Sequence, residues 1–133
     1  MRLIVIPALL LTFNIMQAGT AAPSYDVSYV LPQGTYTGVT SFAVDRKGVV
    51  TGTMRIAEPA VVEATLAGIV KDGTWAIDHT YAIPAQGCSG TIKGTAKVPA
   101  DAKVISGTVT IGGACVESPT EATFTFTRQA PKK

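Results

Sequence analysis

The stretch from Cys88 to Cys115, CSGTIKGTAKVPADAKVISGTVTIGGAC, decides the fold. Read alternately, Cys88, Gly90, Ile92, Gly94, Ala96 and Val98 make an apolar row, and Ser89, Thr91, Lys93, Thr95 and Lys97 a polar one. After a connection at residues 99–104 the alternation resumes with Ile105, Gly107, Val109 and Ile111. A period of two is the mark of a half-buried strand. Pairing Val98 with Ile105 sets Ala96 against Gly107, Gly94 against Val109, Ile92 against Ile111 and Cys88 against Cys115. A slip of one residue would turn a whole row to the wrong face. The register is therefore specified, and it brings the only two cysteines within reach of a disulfide.

The same alternation extends outward in both directions. Asp72-Gly73 is the strongest hairpin signal, a two-residue turn with both residues at positive φ. It pairs Lys71 with Thr74 and Val70 with Trp75, and so sets Leu66 across from His79. Strands are expected at 25–31, 35–44, 49–57, 61–71, 74–83 and 121–128, in addition to the two of the hairpin. Their inward rows are Tyr25, Val27, Tyr29 and Leu31; Tyr36, Gly38, Phe42 and Val44; Val50, Gly52, Met54 and Ile56; Val62, Ala64, Leu66, Gly68 and Val70; Trp75, Ile77, His79, Tyr81 and Ile83; and Phe124 and Phe126. A helix competes at 58–69 because of its alanines, but the period of two and the flanking turns favour a strand. Consecutive strands with short connections give an antiparallel meander. The expected fold is all-β, an eight-stranded antiparallel up-and-down barrel with one disulfide, with a two-sheet sandwich as the alternative. A membrane barrel would carry its apolar face outward; here the second face is threonine, serine and charged residues.

Residues 1–21 read as a secretory signal peptide: Arg2, then a mostly apolar run to Ile15, then Gly19-Thr20-Ala21, with cleavage after Ala21. The run is too short to span a membrane. Residues 22–133 are then one barrel domain, secreted or periplasmic, in a compartment that permits a disulfide. Without Arg2, ten basic and nine acidic residues remain. This balance excludes a nucleic-acid partner held by bulk charge, and no membrane insertion is expected after cleavage.

Gly34-Thr35-Tyr36 near an early barrel strand, with Arg128 in the last strand, resembles the lipocalins and related calycins. In that group a Gly-x-Trp stands near the first strand and an arginine of the last strand packs across its ring. Parity puts Tyr36 and Arg128 on the inward face. This chain has tyrosine for tryptophan and one strand ahead of the motif. The resemblance implies a small hydrophobic ligand in the barrel mouth.

His79, the only histidine, falls on the apolar face between Trp75 and Tyr81. It reads either as a polar group at a pocket floor or as a core histidine bonded to tyrosine or backbone. One histidine with no cysteine or carboxylate on its face is no metal set. Neither a nucleophile elbow nor a phosphate loop occurs, Asp78 points away from His79, and no carboxylates pair on one strand face. No catalytic residue, metal or cofactor is assigned, and an enzyme is the less favoured class. The function expected is an exported binding protein that holds a small hydrophobic or aromatic ligand among Tyr36, Trp75, His79, Tyr81, Phe124 and Phe126. The alternative is a protein-binding module, such as an inhibitor of a secreted hydrolase, docking through residues 112–120 and 84–87. An open interior favours the first, a filled one the second.

Overall fold

A computed structural model describes residues 22–130. The expected signal peptide at 1–21 and tail at 131–133 lie outside these residues. The strands are β1 (Ser24–Leu31), β2 (Gly34–Val44), β3 (Val50–Glu58), β4 (Val62–Leu66), β5 (Gly68–Lys71), β6 (Thr74–Ile83), β7 (Cys88–Lys97), β8 (Val104–Gly113) and β9 (Thr120–Arg128), with a 3-10 turn at Pro84–Gln86.

Sequence neighbours pair antiparallel except β4 and β5, which both pair with β6, and β1 pairs with β9. Because β4 and β5 occupy one position in the ring, the sheet closes as an eight-stranded barrel. Closure covers the sheet edges, with the outer side of β5 held to residues 48–49 by the Val49–Ile69 bridge and the Val70 N–H to Gly48 carbonyl bond, which limits edge-to-edge association. The sandwich is thereby ruled out, and 58–69 is strand rather than helix.

The hairpin register is the one dictated by the alternating rows. Ala96 opposes Gly107, Gly94 opposes Val109 and Ile92 opposes Ile111. Cys88 and Cys115 are bonded, their Cα atoms 5.3 Å apart. At the 72–73 turn, Asp72 and Gly73 have φ of 54° and 76°, the backbone twist that suits a two-residue hairpin. Lys71 pairs with Thr74 and Val70 with Trp75.

Three details depart from the expected inward rows. Val44 is exposed, although its partner Val50 is buried, because β2 runs past the end of the core there. Thr40 is buried and gives its hydroxyl proton to the Thr53 carbonyl at 2.7 Å. Arg128 is exposed and never meets Tyr36. On β1, Arg128 lies opposite Tyr25 while Tyr36 lies opposite Tyr29. Four residues of strand, about 13 Å, separate the two, so the calycin-type pair does not form.

Between β4 and β5 the Asp78 N–H still donates to the Ala67 carbonyl at 3.2 Å, and side chains of β6 supply the other bonds. The Ala67 N–H donates to His79 Nδ1 at 3.1 Å, and the Trp75 indole donates to the Ala67 carbonyl at 3.2 Å. The register continues unbroken across this point, since Thr65–Thr80 and Gly68–Ile77 keep one alignment. A bulge in β3 at Ala57, between the pairs Gly38–Ile56 and Thr37–Glu58, bends the wall near the opposite end of the barrel.

Candidate functional site

The barrel interior has two halves. At the end where β1 begins and β9 finishes, aromatic rings fill the lumen. Tyr25 stacks on Phe42 with centroids 5.2 Å apart, and Phe42 meets Trp75 at 5.2 Å. Phe126 touches the rings of Tyr25, Tyr29, Phe42, Trp75 and Phe124. Trp75 and Phe126 are wholly buried. The 99–103 loop covers this end, held by the Tyr25 hydroxyl donating to the Ala102 carbonyl at 2.8 Å.

The other half, at the disulfide, is hollow. A cavity of about 150 Å³ opens there, comparable to an apolar cavity that stays dry and takes benzene. Its walls are Leu31, Met54, Ile56, Val62, Ile83, Ile92, Ile111 and Val116, with Tyr29, Tyr36, Tyr81 and Cys115, and Gln33 and Gln86 at the exposed rim. No charged residue lines it.

The local sequence explains the opening. Tyr81 lies directly opposite Gly90. A Cβ at Gly90 would collide with the Gly112 carbonyl and sit 2.8 Å from the Tyr81 ring. With glycine there, the ring covers the strand and its hydroxyl donates to the Gly112 carbonyl at 3.2 Å. One aromatic is thus laid along the wall rather than across the lumen. The disulfide holds Cys115 and Val116 against the same rim.

Among the described residues, two buried polar side-chain atoms inside the barrel have no hydrogen-bond partner: the Tyr29 hydroxyl and His79 Nε2. Burial pushes the Tyr29 phenol well above its ordinary pKa, so it stays protonated. His79 is pushed down to about 4, chiefly by burial, with the Ala67 bond and Asp78 opposing that shift. Its Nδ1 accepts a proton bond, so the neutral ring carries its hydrogen on Nε2.

Of the residues singled out in the sequence, Tyr36 and Tyr81 line the cavity. Trp75, His79, Phe124 and Phe126 are packed in the core, outside the cavity lining. His79 is bonded to backbone, as a core histidine would be. Tyr29 was absent from that set, although its inward parity and its place near the end of β1 carried the signal. Among the described residues no three side chains of metal-ligating type cluster.

No family model matches the chain, and no curated protein does. Two solved structures share its fold. One is EF1p2_mFAP2b bound to DFHBI, with a TM-score of 0.64 and 17% identity over 84% of this chain and 96% of that one. The other is a redesigned β-barrel, mFAP1, bound to DFHBI, with a TM-score of 0.60 and 15% identity over 84% of this chain and 97% of that one.

Proposed function

We propose that this protein binds a small, uncharged, ring-shaped molecule in the cavity at the disulfide end of the barrel. The observation that carries the reading is the contrast within one lumen: an apolar cavity of about 150 Å³ above a fully packed aromatic floor. A concave apolar site with a few polar groups is the usual form of a small-molecule site. The absence of any charged lining residue weighs against carboxylates and ammonium ions, whose burial is costly without a partner. Barrels of this fold that hold DFHBI lend support, as they accommodate a small aromatic ligand. A filled interior would have favoured docking through residues 112–120 instead. The reading includes export, supported by the Cys88–Cys115 bond, because such bonds persist in oxidising compartments.

The test is a titration of the isotopically labelled protein with toluene and with DFHBI, followed by amide NMR. Binding shifts the amides of Tyr81, Ile111 and Cys115 and leaves the Trp75 indole in place. Ile111→Phe, which fills the opening, abolishes the response. No shifts at millimolar ligand, or shifts spread over the outer face, would overturn the reading.

A further inference from the structure

Tyr29 is 4% exposed and lines the cavity, and its hydroxyl has no hydrogen-bond partner among the described residues. A buried hydroxyl left unpaired is costly, so its presence needs a reason. Packing alone does not supply one. The ring stacks on Phe124 at 5.4 Å and meets Phe126 edge-on at 6.4 Å, contacts a phenylalanine would make equally well. The other polar groups of the lining are otherwise engaged. The Tyr81 proton is given to Gly112, Tyr36 is only half-buried, and Gln33 and Gln86 stand at the exposed rim. The remaining side-chain polar groups of the lining are the Tyr36 and Tyr81 hydroxyls, the two rim glutamines and the disulfide sulfur of Cys115, and none of them bonds the Tyr29 hydroxyl.

We infer that Tyr29 is the polar reader of the cavity, and that the ligand class is a neutral planar ring bearing one hydrogen-bond acceptor, such as an aryl carbonyl, that takes the Tyr29 proton. The inference rests on the binding reading above and makes it more specific. The phenol is held protonated by burial, so it is available as a donor. A site with one unpaired buried donor discriminates against a ligand that lacks the acceptor.

Two probes of matched shape separate the terms: acetophenone, and α-methylstyrene, in which a CH₂ group replaces the carbonyl oxygen. In the wild type both enter the cavity. Tyr29→Phe weakens acetophenone by about 5- to 10-fold, the size of one neutral hydrogen bond, and leaves α-methylstyrene unchanged or slightly tighter. The wild-type protein gives a second readout that needs no variant. With ¹³Cζ-tyrosine labelling, the Tyr29 signal moves on adding acetophenone and stays in place with α-methylstyrene, apart from a small ring-current shift common to both. Equal effects of Tyr29→Phe on the two probes, or identical Tyr29 signals with both, overturn the role of Tyr29 while the binding reading stands. If neither probe enters the wild-type cavity, the binding reading itself fails, and this inference with it.

Discussion

The two ends of the barrel follow one rule of alternation and reach opposite results. At the floor, inward residues from β1, β2, β6 and β9 are aromatic and meet in the middle: Tyr25, Phe42, Trp75 and Phe126. At the mouth, the inward residues are mostly aliphatic, and Tyr81, one of three tyrosines there, lies against the glycine of the next strand. An eight-stranded barrel is just wide enough for side chains to fill or for one small ligand to occupy. Which outcome prevails is set locally, by whether large rings cross the axis or lie along the wall. Within one chain the floor supplies cohesion and the mouth supplies room.

That division is broken or sharpened first by truncating one residue at each level. Phe126→Ala at the floor should cost about 4 kcal/mol, because it leaves a void among five rings. Ile111→Ala at the mouth should cost about 2 kcal/mol, since its side chain already borders open space. Urea unfolding of both variants measures the difference, and equal costs would mean that the mouth is as tightly packed as the floor.

The disulfide comes next. Closing 27 residues of chain stabilises the fold by about 3.5 kcal/mol in the chain-entropy model. Replacing both cysteines with serine removes this and should loosen the mouth loop at 112–120 more than the 72–73 turn, whose geometry holds it independently. Hydrogen exchange on the double variant reads both regions; uniform loosening would make the bond a global staple with no special bearing on the mouth.

The third effect belongs to the boundary between the halves. His79 has a folded pKa of about 4 against about 6.5 in an unfolded chain. Between these values the unfolded state binds a proton that the folded state does not. Stability from this group is therefore complete above pH 6.5 and declines as pH falls toward 4, by about 3 kcal/mol in total. Chemical denaturation across that window should show the slope, and His79→Gln should flatten it. A wild-type profile that is already flat would place the ring in contact with water.

Much of this was legible in the residues themselves. The alternating rows of β7 and β8 fixed a register, the register fixed the disulfide, and Asp72-Gly73 fixed a second hairpin. Parity along a strand tells which face a side chain takes, but it says nothing of height along the barrel axis. For that reason parity groups Trp75, His79, Phe124 and Phe126, which pack in the core, with Tyr36 and Tyr81, which line the cavity. The same blindness to height put Tyr36 and Arg128 together when a length of β1 separates them. The bond from Ala67 to His79 was illegible for a different reason: a side chain substituting for a ladder partner leaves no periodic trace.

The closing hydrogen bond of the ring, from the Gln129 amide to the Ser24 carbonyl at 2.9 Å, also fixes a direction. The chain enters the barrel at Ser24 and leaves it at Arg128 on adjacent strands, both at the floor. Ala22 and Ala130 therefore both lie on the side away from the cavity. A barrel held at Ala22 or at Ala130 would present its mouth outward like a cup fixed by its base, and its accessibility to a diffusing molecule would not depend on which of the two residues bears the attachment.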